Sequence, residues 1–253
     1  MDNIGYIDGY SWRCLLGPMS KNIEVNENFA KWTVNKITHM VLLKRLDVDI
    51  KDFVPFNFHY FAPEDVELLK TKYKVQRSKN ISVCLEIEKV IELGGKKYKH
   101  VRNSLNKMEK LNIEILDDYR DFNDICILVD KWSETSGEKY FRDFSGKNKF
   151  FYKNNWHNGC INAFCYDGND LIAYGSLSPI VDGKSTYIIG KSLITYPGSS
   201  EFLDFTLYRK AISLGCKLVN MGKCSNNGLL KYKSKFKGSF ENLSYDGKVL
   251  NAI

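Results

Sequence analysis

The chain has 253 residues, 43% hydrophobic and 26% charged, enough apolar material for one large core or two small ones and unlike a disordered or fibrous protein. A net charge of +7 and an isoelectric point near 8.9 favour an anionic partner: nucleic acid, a nucleotide or coenzyme, or a membrane surface. No apolar run approaches the roughly 20 residues of a spanning helix, and Asp2, Asp8 and Arg13 break up the opening, so the chain reads as soluble and cytoplasmic, without a signal peptide. The seven cysteines (Cys14, Cys84, Cys126, Cys160, Cys165, Cys216 and Cys224) are odd in number, form no C-x-x-C pair and sit mostly in apolar stretches. Reduced core thiols are expected, not disulfides or a metal site.

In chain order, residues 1–92 read as an irregular α/β region. A mixed apolar opening precedes a helix expected over Asn28 to Leu43. The aromatic run from Phe53 to Phe61 has His59 as its one basic residue, so it reads as core and not as a base-stacking platform. Pro63 then starts a short helix through Leu69, with Glu64 and Asp65 facing the positive end of its dipole.

The pattern sharpens in residues 93–253, read as a second domain. Tyr98, Val101, Leu105 and Met108 recur at three and four residues, which predicts a helix over Lys96 to Lys110. The rest of that helix (Lys96, Lys97, Lys99, His100, Arg102, Lys107, Lys110) is the densest positive patch in the chain. A strand at Asn112 to Leu116, a helix at Tyr119 to Trp132, a charged segment at Ser133 to Lys149 and a short helix holding Phe150, Phe151, Tyr152 and Trp156 follow. Cys160 to Tyr166, Leu171 to Val181 and Ser185 to Ile194 are separated by Asp167-Gly168-Asn169-Asp170 and Asp182-Gly183-Lys184, a meander of three antiparallel strands. The turn Tyr196-Pro197-Gly198-Ser199-Ser200 opens a helix from Glu201 to Leu214, which Gly215 caps, and a strand at Lys217 to Met221 follows. Lys231, Lys233, Lys235 and Lys237 then alternate with Tyr232 and Phe236 in a segment expected to be helical.

This order of helices, antiparallel meander, helix and returning strand resembles the GNAT acyltransferase fold. Gly94-Gly95-Lys96-Lys97-Tyr98-Lys99-His100-Val101-Arg102-Asn103, with Leu105-Asn106-Lys107, is similar to the G-K-K-x-x-x-x-R-N-x-x-N segment of the phosphatidylglycerol lysyltransferase C-terminal domain family. Gly228-Leu229, Tyr232-Lys233-Ser234-Lys235-Phe236 and Gly238 resemble both that family and the Fem-type peptidoglycan aminoacyltransferases, in which an aromatic-Lys-x-x-Phe box follows the last strand. The resemblance covers about Gly94 to Gly247, while the first 90 residues match loosely, as a second, degraded GNAT-like half would. It implies a mixed α+β fold with a mostly antiparallel central sheet flanked by helices.

The same resemblance implies transfer of an acyl group, here aminoacyl, to an amine or hydroxyl of an anionic lipid or cell-envelope precursor. Donor and acceptor meet directly, with no bound cofactor, no covalent intermediate and a peripheral membrane contact. Lys233 occupies the box position that meets substrate near the reaction centre, where it would bind phosphate or steady an oxyanion. Lys235, Arg102 and Asn103 are expected on the substrate side, with Arg102 reaching into the cleft. Gly198, Ser199 and Ser200 form the donor turn, with Ser199 or Ser200 as N-cap. That turn has one Gly, no Arg and a proline that removes an amide, a departure from acyl-CoA loops that favours an aminoacyl-tRNA donor. An acyl-CoA N-acyltransferase and a non-catalytic polyanion-binding module are the alternatives. Asp204, Asp167 and Tyr187 are conceivable bases with none preferred. The histidines at 39, 59, 100 and 157 are isolated and read as structural, and His157 with Cys160 is not expected to form a nucleophile pair.

Overall fold

The computed structural model describes residues 23–253 apart from 35, 48, 137–139 and 225–226. The apolar opening with Cys14, and part of the charged segment after Ser133, lie outside the described residues. The strands are β1 (Ile23–Val25), β2 (Phe29–Val34), β3 (Ile37–Leu42), β4 (Phe56–Phe61), β5 (Tyr73–Glu86), β6 (Glu114–Leu116), β7 (Ile161–Asp167), β8 (Asp170–Leu177), β9 (Lys184–Ser192), β10 (Leu218–Lys223) and β11 (Ser239–Ala252). The helices are α1 (Pro63–Lys70), α2 (Ile87–Ile91), α3 (Lys99–Glu109), α4 (Phe122–Ser136), α5 (Tyr140–Lys153), α6 (Ser199–Ser213) and α7 (Asn227–Lys233). Two compact units divide them: residues 1–85 with 220–253, and residues 86–219. A single cut at 92 does not describe this division, because the last strand belongs with the first.

In the first unit the strand order is β1-β2-β3-β4-β11-β5, antiparallel throughout except for β3 beside β4. The helix expected over 28–43 is instead the β2–β3 hairpin, with Trp32 opposite His39 and Val34 opposite Ile37. The stretch is rich in aromatic and β-branched residues (Phe29, Trp32, Thr33, Val34, Ile37, Thr38), which fit a pleated surface better than a helix. The aromatic run is core as expected: Phe56, Phe58 and Phe61 are 0% exposed and pack with Met40, Leu42, Val66, Leu69 and Val249. Long strands β5 and β11, 14 residues each, pair along nearly their whole length, and neither was anticipated. Their alternation is masked by polar residues on one face.

That polar face is unusual. Asn80 is 1% exposed, and neither atom of its amide has a hydrogen-bond partner; Ser244, directly opposite, is likewise unpartnered. On β4 the backbone at Tyr60 turns left-handed (φ 57°), and its N–H donates to the Asp246 carboxylate (3.0 Å), pinning a bulge against β11. His39 Nδ1 and His59 Nε2 share a hydrogen bond (3.0 Å), with Trp32 stacked on both rings. Asp246 lies 3.9 Å from His59 Nδ1, yet burial outweighs its attraction and pulls His59 down to about 4. Two histidines that look isolated in sequence therefore form one neutral pair.

In the second unit β7, β8 and β9 form the antiparallel meander in the order expected, and β6 pairs antiparallel with β7 at its edge. Helix α6 packs across β7, β8 and β9, and α3 packs against α6. Gly175 of β8 lets α6 sit close, since a Cβ there would meet Leu207 at 3.0 Å. Tyr174, one residue earlier, points to the other face, where it meets Tyr152 and Phe164. The predicted stripe of α3 is buried at Val101, Leu105 and Met108, with Tyr98 in the preceding 3-10 turn (Lys96–Tyr98). Strands and helices thus form a mostly antiparallel mixed α/β fold, as the sequence pattern implies.

The histidine pair makes stability depend on pH. His59 titrates near 4 when folded and near its ordinary 6.5 when unfolded, so the unfolded chain takes up the proton first. Stability should be level above about pH 7 and fall as pH drops toward 4, by on the order of 3 kcal/mol from this residue. Urea midpoints of wild type and His59→Asn between pH 7 and 4 check this. The variant's curve should be flatter, and parallel curves would refute the assignment.

Candidate active site

The donor turn is built by backbone bonds before any side chain contributes. Tyr196 N–H donates to Leu193 (3.1 Å), Ser199 N–H to Tyr196 (3.0 Å), and Phe202 N–H to Gly198 (2.9 Å), the first bond of α6. The N-cap is Gly198, at φ 100°, with no side-chain cap. The serine cap expected at Ser199 or Ser200 is absent: Ser199 Oγ donates back to Leu193 (3.2 Å), and Ser200 Oγ pairs with Ser192 Oγ (2.6 Å). Glycine is required twice over here, because φ lies in the left-handed region and a Cβ would come within 2.9 Å of Ser104 on α3. The close approach holds α3 against the start of α6.

The turn borders a cleft of about 310 Å³ lined by Trp132, Ser192, Tyr196, Pro197, Gly198 and Ser200, among others. Lys191 places its ammonium 3.6 Å from the centre of the Trp132 ring, and burial pulls its pKa down to about 8. Sequence reasoning missed both residues, because Trp132 lies on α4 and Lys191 on β9 and only the fold brings them together. Asp167 accepts a hydrogen bond from the Tyr196 hydroxyl (3.0 Å), and Tyr187 donates to Asp204 (2.8 Å). The three conceivable bases are thus engaged with the protein itself. His157 is buried and faces Asp118 (3.2 Å), while Cys160 Sγ points to the Trp156 carbonyl, so the two are no nucleophile pair. Burial drives Cys165 up to about 12 and Cys216 to about 11, leaving both thiols poor nucleophiles.

Lys96, Lys97, Lys99, His100, Lys107 and Lys110 are exposed along α3 and its leading turn. Arg102 departs from expectation. Its guanidinium donates to the carbonyls of Leu93 and Gly95 (2.8 Å to the latter), closing the Gly94-Gly95 turn and leaving the cleft. Two of the five guanidinium donors of this half-buried arginine are thereby met by carbonyls of a turn whose backbone is left-handed at Leu93 and Gly95. Asn103 is exposed on the same helix.

In the first unit Lys233 ends α7 and is 7% exposed. Its ammonium donates to three successive carbonyls at the end of β10: Met221 (2.5 Å), Gly222 (3.0 Å) and Lys223 (3.3 Å). Gly222, at φ 71°, bends the strand so that these oxygens converge, and its own N–H donates to Asn220 Oδ1 (2.8 Å). The helix expected to run through Lys237 stops at Lys233, and Gly238 (φ 78°) turns the chain into β11. Phe236 is buried, with Tyr232 edge-on to it, and Lys235 lies over the Tyr232 ring at 3.9 Å.

No protein-family profile matches the chain, and no curated protein sequence does. Solved structures do. A conserved protein of unknown function from Bacteroides thetaiotaomicron VPI-5482 superposes with a TM-score of 0.74 at 13% identity, over 99% of this chain and 93% of that one. L-PGS from Bacillus licheniformis gives 0.69 at 17% identity, over 92% and 86%. The C-terminal domain of a putative lysylphosphatidylglycerol synthetase from Agrobacterium fabrum gives 0.68 at 13%, over 94% and 86%. At such identities the likeness is one of fold, and the chain shares the mixed α/β fold of these structures.

Two substitutions test this geometry by thermal melting. Gly198→Ala should cost on the order of 2 kcal/mol or more through the left-handed backbone and the Ser104 contact, with Ser104→Gly recovering only the part due to the Ser104 Cβ, since the backbone oxygen of residue 104 would still lie 3.1 Å away. Lys233→Met should cost about 2–4 kcal/mol by leaving buried carbonyls unpaired, against within about 1 kcal/mol for Lys231→Ala or Lys237→Ala. Equal melting of all three lysine variants would show that the ammonium is not the clamp described.

Proposed function

We propose that this chain transfers an aminoacyl group from aminoacyl-tRNA to an amine or hydroxyl of an anionic lipid or cell-envelope precursor. The observation that carries this reading is the contact between Ser104 and Gly198, which holds the exposed lysines of α3 on a helix packed against the donor turn. A donor with a long phosphate backbone uses such a helix, since each neutralised phosphate releases counterions; a compact acyl-CoA has far less to offer it. The turn itself points the same way. Pro197 lacks an amide, the Ser199 amide is spent on Tyr196, and Glu201 puts a carboxylate in the first turn, all unfavourable for a pyrophosphate. The fold shared with a lysylphosphatidylglycerol synthetase domain supports an aminoacyl donor and a lipid acceptor.

In the reaction proposed, the acceptor nitrogen or oxygen attacks the carbonyl carbon of the donor ester. The bond to the ribose oxygen breaks, and the acceptor's proton ends on that oxygen, so no enzyme acyl intermediate forms. Lys233 enters as a positioning residue that shapes the end of β10. The substrate contact implied for it by resemblance requires the ammonium to exchange one of its three carbonyls. Lys235, Asn103, Ser199 and Ser200 remain proposed substrate-side groups, and Arg102 acts through the turn it closes.

The test is transfer of label from tRNA charged with radioactive amino acids into the lipid extract of phosphatidylglycerol vesicles, with labelled acetyl-CoA in a parallel arm. Label from tRNA alone is expected, and Lys99→Glu with Lys107→Glu should lower the slope of log affinity against log salt by roughly one to two. Label from acetyl-CoA alone would establish the coenzyme reading. Salt-dependent tRNA binding with no transfer would make the chain a binding module.

A further inference from the structure

The cleft beside the donor turn has an aromatic wall that the transfer chemistry leaves unused. Trp132 lines it from α4, facing Ser192, Pro197 and Gly198 of the turn region, and the indole is held in place by the Lys191 ammonium 3.6 Å from its centre. Lys191 and Tyr174 are cross-strand partners on β9 and β8, so the lysine rises from the face of the sheet that carries the Tyr174, Tyr152 and Phe164 cluster. Its charge rests on the ring, which restricts the ring's pose. A planar aromatic fixed at the edge of a polar turn, in a cleft of about 310 Å³, has the size and chemistry to take one heteroaromatic base by stacking. The remaining lining suits the rest of a nucleoside. The Ser192 and Ser200 hydroxyls, 2.6 Å apart, present hydrogen-bonding oxygens where a ribose would lie.

We infer that Trp132 is the stacking surface for the adenine of the donor's terminal adenosine, with Lys191 as the residue that positions the ring. The inference rests on the transferase reading for its biological meaning, since it assumes that the acyl group arrives on an adenosine. Adenine is common to the 3′ end of tRNA and to coenzyme A, so the shared chemistry is an adenine nucleotide and the source is separated by experiment. A purine is favoured over a pyrimidine because stacking grows with ring overlap.

The experiment titrates the full chain with AMP and, separately, UMP by isothermal titration calorimetry, which reads wild type and Trp132 variants alike. AMP should bind saturably and at least about threefold more tightly than UMP. Trp132→Leu should weaken AMP binding about fivefold or more, Trp132→Phe should retain most of it, and Lys191→Met should fall between. Equal AMP affinity in Trp132→Leu and wild type would overturn the inference. In case the leucine variant folds poorly, 8-azido-AMP is photolysed on the unaltered protein and the labelled peptide mapped. Label on the Trp132 peptide or on residues 192–200, competed by AMP, supports the site; label elsewhere overturns it. Intact tRNA, tRNA trimmed of its terminal adenosine and coenzyme A then compete for that label, and loss of competition on trimming assigns the source to tRNA. AMP binding without label transfer to lipid would sink the transferase reading and leave the stacking site, whereas transfer without AMP binding would do the reverse.

Discussion

The contact of Gly198 with Ser104 is the constraint on which the second unit's candidate site depends. It is a steric fact first: with no Cβ at 198, the backbone that begins α6 lies against the backbone and Cβ of Ser104 on α3. Every larger residue there would push the helices apart or force a strained φ. From that one approach follow the position of the first α6 amides, the placement of the exposed α3 lysines beside the turn, and the cleft that Trp132 and the serines line.

Cations in this protein divide by what desolvation does to them. Lys233 and Arg102 surrender water and are compensated by carbonyls, three for the ammonium and two for the guanidinium. Lys191 rests on an indole face, and burial pulls its pKa down to about 8. The lysines of α3 stay exposed to water, and are therefore the ones open to a polyanion. Net charge alone does not distinguish these groups, although their settings are opposite: the buried cations hold backbone carbonyls and the lysines of α3 lie at the surface.

The first unit shows the same bookkeeping in its polar face. Asp246 serves the Tyr60 amide, Lys223 (3.5 Å) and His59 together, and ties the β4 bulge to β11. Beside it the histidine pair stays neutral because burial outweighs the attraction of Asp246. On this face the Asp246 bonds stand beside the unpartnered Asn80 and Ser244, while the opposite face packs the phenylalanines of β4.

The sequence by itself determined the elements whose signals are local. The meander was legible because Asp-Gly turns separate apolar runs, α3 because its apolar residues keep a strict helical period, α1 because proline and acidic residues mark its start, and the aromatic run as core because it lacks interleaved charge. The hairpin at Phe29–Leu42 was misread because its apolar residues also satisfy a helical spacing, and strand pairing, not local pattern, decided between the two. Tertiary structure alone decided what the cations do. Arg102 lies beside the buried stripe of its helix, as the periodicity says, but the left-handed backbone at Leu93 and Gly95 turns two carbonyls toward it and claims its donors. Lys233 stands in a recognisable box, yet its partners come from a strand ten residues back, bent by Gly222. The His39–His59 pair and the Lys191–Trp132 stack join residues far apart in the chain, and their chemistry arises from burial and proximity, which no single-sequence pattern encodes.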